Sequence, residues 1–173
     1  LVGSEMCIRG SPLIAINMHE MGRLSRIVNP LMTPVTHELM PSSAAPGQMS
    51  VRAIHEARHL LGLLPRRRLF LLGSPIAQSQ SPLIHNTGFQ VLGLPHVYER
   101  FETSTVDERL VQLLHAPDFG GASVTIPLKL SIMQLLDSIS PEAQVIGAVN
   151  TIVPRRDSDT GQVAPVSYTH LRA

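Results

Sequence analysis

LFLLGSPIAQSQSPLIHNTGFQVLG, residues 69–93, decides the fold. It opens on a continuous apolar run, Leu69 to Gly73, of the kind carried by parallel strands buried on both faces. A polar loop with Pro75, Ser79 and Ser81 follows. Ser81-Pro82 is a helix-opening pair. The hydroxyl suits an N-cap, and proline suits the first helical position, where its missing N–H has no partner to lose. The spacing predicts a helix from Ser81 to about Leu92, ended by Gly93. Strand, polar turn and helix make half of a βαβ unit, and the pattern recurs downstream. Residues 96–102 read as a strand. Ser104 is expected to cap a helix through about His115, with Asp107 and Glu108 in its first turn. GASVTI, residues 121–126, is a third strand, and Pro127 starts a helix to about Ser138. Ser140-Pro141 starts a short helix, and GAVNTIV, residues 147–153, is a fourth strand. This alternation implies an open, mostly parallel α/β sheet.

Upstream the pattern is different. PLIAINM (12–18) and LMTPVTH (31–37) read as short strands, the second weakened by Pro34. Gly22 marks a turn between them, with Ser25 and Arg26 at the start of a short helix or loop. PSSAAPGQ (41–48) is loop chemistry. Residues 50–64 read as an amphipathic helix capped by Ser50, with Ile54, Ala57, Leu60, Leu61 and Leu64 as its apolar stripe and Pro65 as its stop. PRRR at 65–68 is a short charged linker between two segments, 11–64 and 69–154. Residues 155–165 read as a cut-off loop.

The whole chain has 173 residues, 43% apolar and 16% charged, with a formal net charge of +1. That supports a buried core and excludes wholesale disorder. No apolar run approaches a membrane span. Charge so near zero argues against a nucleic-acid binder working through a broad basic face. The only cysteine, Cys7, cannot form an internal disulfide. Residues 1–10 and 166–173 resemble translated sequencing-adapter read-through and are set aside as non-native expectations. Of fourteen basic residues thirteen are Arg and one is Lys, Lys129, so its position is informative.

Three stretches of the second segment put polar groups at the C-terminal ends of strands, where open α/β sheets bind ligands. Ser79 and Ser81 stand just before a helix N-terminus, able to hold a carboxylate or polyol. In VTIPLK, residues 124–129, Thr125 ends a strand and Lys129 falls in the first helical turn. A cation there opposes the helix dipole, a placement suited to proton transfer. Asn150 lies near the end of GAVNT. Each alone has a plainer reading: cap, turn or surface lysine.

Taken in order, the opening GSPIAQSQSPLIHN, then FGGASVTIPLK and GAVNT, resemble the substrate-binding domain of shikimate dehydrogenase, over residues 69 to about 154. The resemblance implies that Ser79, Ser81, Thr125 and Asn150 contact the carboxylate and hydroxyls of shikimate or 3-dehydroshikimate, and that Lys129 is the catalytic lysine. Gln78 stands where the family often has His. The family's partner aspartate and its NADP-binding domain, with its glycine-rich turn, do not follow, so the segment by itself is expected not to turn over. Residues 11–64 resemble the last βα units of type I 3-dehydroquinate dehydratase, a TIM barrel, through GRLSR (22–26) and AAPGQ (44–48). That resemblance gives Arg26 and Gln48 as contacts to the substrate's carboxylate and hydroxyls. Ala44 stands where other members have Ser. The barrel's Schiff-base lysine would lie before Leu1. The two resemblances in this order are those of the fungal AROM family, with plant bifunctional enzymes second. They imply a cytoplasmic, multifunctional enzyme of aromatic amino acid and chorismate biosynthesis, homodimeric as a whole.

Two other classes compete. Fungal quinate-pathway repressors resemble the same domains and sense metabolites without turnover. His55-Glu-Ala-Arg-His59 matches the H-E-x-x-H spacing of zinc peptidases. It lies on a helix running into a linker, with no evident third ligand, so no metal site is expected.

Overall fold

The computed structural model describes residues 14–34, 36–43, 45–156 and 163–168. The end segment 1–10, residues 169–173, Ala44 and residues 157–162 lie outside the described residues; the rest of the loop expected at 155–165 is strand instead, Arg155 and Arg156 pairing with Ala164 and Val163. The chain divides into two compact units, Leu1–Pro65 with Val91–Leu94 and Arg66–Gln90 with Pro95–Ala173.

In the first unit a 3₁₀ turn at Glu20–Gly22 runs into α1 (Arg23–Val28), and α2 covers Val51–Leu60. Ser50 caps α2 as expected, its Oγ accepting the Ala53 N–H at 3.2 Å. The helix stops before Pro65. Gly62, at φ 72°, takes the left-handed position. Its N–H bonds His59 O at 3.0 Å and the Leu63 N–H bonds Arg58 O at 2.8 Å, a Schellman closure of the last turn. Of the expected apolar stripe only Ile54 is buried; Leu60 is 87% exposed. The strands expected at 12–18 and 31–37 are not found in the described residues of those stretches, and none occurs among the described residues before Pro65. The cause is a lack of strand partners. Asn17 N–H goes to Ser25 Oγ at 2.9 Å, Ala15 O accepts from the Asn29 amide at 3.1 Å, and Leu31 N–H goes to Asn29 Oδ1 at 3.1 Å. Side chains, not a neighbouring strand, satisfy this backbone.

The second unit is an open sheet in the order β2-β1-β3-β4-β5. Its strands are β1 (Arg68–Gly73), β2 (Val97–Glu102), β3 (Phe119–Val124), β4 (Thr151–Arg156) and β5 (Val163–Tyr168). The helices are α3 (Ser81–Leu92), which runs into Val91–Leu94 of the first unit, α4 (Glu108–Leu114), α5 (Leu128–Ser131) and α6 (Pro141–Ile146). The expected α/β sheet is present, but it is mixed. β1 pairs in parallel with β2 and β3, whereas β3–β4 and β4–β5 are antiparallel. The helix expected from Pro127 to Ser138 is only α5 followed by a 3₁₀ turn at Ile132–Leu135. These short pieces do not carry the chain back along β3. It re-enters at the C-terminal end of β3, where Val124 N–H bonds Asn150 O at 2.7 Å and Val149 N–H bonds Lys129 O at 2.9 Å, and β4 therefore runs backwards. β5 includes Val166, Ser167 and Tyr168, part of the stretch set aside as read-through, each paired with β4.

Two caps differ from expectation by one to three residues. α3 begins at Ser81, with Gln80 O accepting the Ile84 N–H at 3.0 Å, so Ser81 is inside the helix rather than capping it. Asp107, not Ser104, caps α4, accepting the Leu110 N–H at 2.8 Å. Its carboxylate suits the helix dipole better than a hydroxyl. Ser140 caps α6 through the Ala143 N–H at 3.2 Å.

Alternation along the strands divides the core. Phe70 and Leu72 of β1 and Ala122 and Val124 of β3 face a large cluster with Leu110, Leu114, Phe119, Leu128, Ile132, Val149 and Ile152. Several of these are fully buried, each contributing about 1.5–3 kcal/mol of transfer free energy. Leu71 faces the other side with Ile76 and Tyr98 in a smaller cluster. The larger core fixes the C-terminal ends of β1 and β3, which carry the candidate site.

Candidate functional site

The loop Gly73–Gln80, the residues after β3 and the segment before β4 all stand at one end of the parallel strands. Gly73, at φ 146°, ends β1 with the backbone of the β3 loop pressed against it. A Cβ there would lie 2.5 Å from Thr125 Cγ2 and 2.6 Å from Ile126 O. Thr125 N–H bonds Leu72 O at 2.8 Å and Ser74 N–H bonds Ile126 O at 3.0 Å. The peptides Ser74-Pro75 and Ile126-Pro127 are both cis. Thr125 is therefore held by its backbone, with its side chain against Gly73.

Ser79 and Ser81 pair with each other: the Ser79 Oγ donates to Ser81 Oγ at 3.2 Å and accepts the Ser81 N–H at 3.3 Å. This places two hydroxyls at the N-terminus of the twelve-residue α3, where the helix dipole favours an anion, although the Ser81 and Ile84 N–H groups are already bonded and Pro82 has none. Lys129, half-buried on α5, donates from Nζ to Asn150 Oδ1 at 2.6 Å. The Asn150 backbone carbonyl meanwhile ties β3. One residue thus anchors the strand and holds the ammonium. The lysine expected to oppose a helix dipole sits on a helix of only four residues, so its partner amide, not the dipole, dominates its surroundings.

Sequence reasoning missed the supports from β2. Arg100 Nη2 donates to Ser79 O at 2.6 Å, and Ser74 Oγ bonds Glu102 Oε1 at 3.3 Å. Alternation on β2 puts Tyr98, Arg100 and Glu102 on one face, which is the signal that could have found them. Burial pushes the Tyr98 phenol above the usual tyrosine value, and the nearby Ser123 side chain pulls it part of the way back. Tyr98 Oη is buried without a hydrogen bond of ordinary geometry.

In the first unit Gln48 lines a cavity of about 240 Å³ with Arg23, Thr36, His37 and Glu38, and accepts from Ser43 Oγ at 3.2 Å. Arg26 does not line that cavity. It lies on α1, 5% exposed, with its Nε buried and without a hydrogen-bond partner among the described residues. His55 and His59 each turn Nδ1 onto a backbone carbonyl, Leu92 O at 2.7 Å and Leu64 O at 2.9 Å. No group of three or more His, Cys, Asp or Glu arranged to hold a metal occurs among the described residues. No helix of the described residues is long and apolar enough to cross a membrane.

Residues 71–152 match the shikimate dehydrogenase substrate binding domain, and residues 4–65 match type I 3-dehydroquinase, a match that begins inside the 1–10 segment. The pentafunctional AROM polypeptide of Malassezia globosa is 73% identical over 153 residues, covering 88% of this chain and 10% of that protein. That of Schizosaccharomyces pombe is 56% identical over 148 residues, covering 86% of this chain and 9% of that protein. The solved dehydroquinate dehydratase and shikimate dehydrogenase from S. pombe AroM superposes with a TM-score of 0.78 at 53% identity, over 88% of this chain and 28% of that one. The chain thus spans about a tenth of the curated relatives it matches. Residues 4–65 and 71–152 are therefore similar, in that order, to type I 3-dehydroquinase and to the shikimate dehydrogenase substrate binding domain, and the chain as a whole is similar to part of the AROM polypeptides.

Proposed function

We propose that the second unit is the substrate-binding half of a shikimate dehydrogenase within a longer polypeptide that reduces 3-dehydroshikimate to shikimate with NADP. The observation that carries this reading is the Lys129–Asn150 pair at 2.6 Å, beside Thr125 at the C-terminal end of β3. Ser79 and Ser81 take the substrate carboxylate at the α3 N-terminus. Thr125 and Asn150 take ring hydroxyls. The Lys129 ammonium holds the proton delivered to the substrate's carbonyl oxygen, and in the reverse direction its amine accepts it.

The residues present do not fit the nucleotide. Dinucleotide sites need a glycine-rich strand-to-helix turn against the pyrophosphate. The strand-to-helix turns here, GSPIAQSQ, TSTVD and TIP, carry one glycine, none and none. We assign nicotinamide binding to a part of the polypeptide outside this chain. In the first unit Arg26 and Gln48 are assigned to the substrate of 3-dehydroquinate dehydration. That reaction needs a Schiff-base lysine, and this unit holds none, since Lys129 is the chain's single lysine. The whole protein is proposed to be a cytoplasmic homodimer.

The test is Lys129→Ala in the complete polypeptide. kcat for shikimate-dependent NADP reduction should fall by about 10²–10⁴-fold with KM changed far less. A wild-type polypeptide that binds shikimate without turnover would instead establish the metabolite-sensor reading. An unchanged kcat in Lys129→Ala would remove the lysine from catalysis.

A further inference from the structure

We propose that Arg100 is a positioning residue for the substrate-carboxylate site, acting through the main chain of Ser79. The proposal rests on the reading that Ser79 and Ser81 receive a carboxylate. Ser79 has two jobs in the structure. Its hydroxyl organises the α3 N-terminus by accepting the Ser81 N–H. Its N–H closes a turn onto Ile76 O at 3.1 Å. Its carbonyl is left to Arg100, whose Nη2 reaches it at 2.6 Å from β2. A charge-assisted bond of that length is strong, and it fixes the Ser79–Gln80 peptide plane. The plane in turn fixes the direction of the Ser79 side chain and the first turn of α3.

The other tie from the same strand face supports this. Ser74 Oγ bonds Glu102 Oε1 at 3.3 Å, and Thr103 N–H bonds Gly73 O at 3.1 Å. The serine loop is therefore held at its start by Glu102 and Thr103 and near its end by Arg100. Arg100 is exposed and bonds a neutral oxygen, so its positive charge is not neutralised there. The Glu102 carboxylate on the same strand face opposes its field, so Arg100 acts through the bond to the Ser79 carbonyl. A lysine in its place would keep the charge but lose the planar fork that holds its direction.

The experiment titrates shikimate into the 173-residue chain by ¹⁵N NMR for wild type, Arg100→Met, Arg100→Lys, Ser79→Ala and the Arg100→Met/Ser79→Ala double variant, with amide exchange measured alongside. Arg100→Met should weaken shikimate about tenfold and speed exchange at Ser81 and Ile84, leaving the Leu110 amide unchanged. Arg100→Lys should recover part of the loss. In the Ser79→Ala background the same Arg100 change should cost much less than tenfold, because both act through one serine. Full additivity in the cycle, or an Arg100→Met chain with wild-type affinity and exchange, overturns the positioning role while the site reading stands. A wild-type chain that shows no shikimate shifts overturns the site reading, and this proposal with it.

Discussion

Gly73→Ala tests how the site is built. Two costs add at this position. The backbone angle of 146° is one that side-chain-bearing residues rarely adopt, worth about 1–3 kcal/mol. The new Cβ would also lie 2.5 Å from Thr125 Cγ2 and 2.6 Å from Ile126 O. A methyl clash can be relieved by moving Thr125, but the carbonyl belongs to backbone tied to Ser74 N–H at 3.0 Å, so the loop must shift. Overpacking of this kind costs roughly 1–3 kcal/mol more. The sum is about 2–6 kcal/mol, a large part of a small domain's stability. Urea unfolding followed by far-ultraviolet circular dichroism measures it. Gly88→Ala is the control: it lies in α3 with nothing within 4 Å of the new Cβ, and should be neutral or stabilising by about 0.5–1 kcal/mol. If Gly73→Ala unfolds within about 0.5 kcal/mol of wild type, the packing argument for Thr125 fails.

Further outcomes follow from single contacts. Leu110→Ala, at a fully buried position in the large cluster, should cost about 2–5 kcal/mol in the same assay. Asp107→Ala removes the α4 cap and should cost about 1 kcal/mol, with Asp107→Asn losing less. The Tyr98 phenol is held above its ordinary value of 10.0 by burial, so folding favours the neutral form. That contribution is complete below 10.0, where both states are protonated, and is lost as pH rises through the higher folded value. Tyr98→Phe should remove this alkaline component from a plot of stability against pH, and an identical slope in the variant would contradict the assignment.

The parts of the fold legible in the sequence are those specified by neighbouring residues. The 69–73 run, the helix to Leu92 with its Gly93 stop, and the Ser50 and Ser140 caps are written in local chemistry, and each forms. What failed depended on distant partners. PLIAINM has strand composition, yet its backbone is satisfied by Ser25 and Asn29, because pairing needs a second strand that composition cannot promise. The direction of β4 depended on how far α5 and the turn after it carry the chain, which is a matter of three dimensions. The expectation for Ser79, Ser81, Thr125, Lys129 and Asn150 comes from their place at strand ends together with the family resemblance, since each residue alone has a plainer reading. The Lys129–Asn150 bond and the Arg100 brace were not visible in the sequence, since both join residues about twenty positions apart.

The central claim is that the C-terminal edge of β1 and β3 receives a carboxylated polyol. Titrating shikimate into the ¹⁵N-labelled chain tests it most directly. The account predicts saturable shifts, with Kd of about millimolar order, at the amides of Ser79, Ser81, Thr125, Lys129 and Asn150, abolished in Ser79→Ala/Lys129→Ala. Saturable binding that leaves those amides unmoved, or no binding at all, would contradict it.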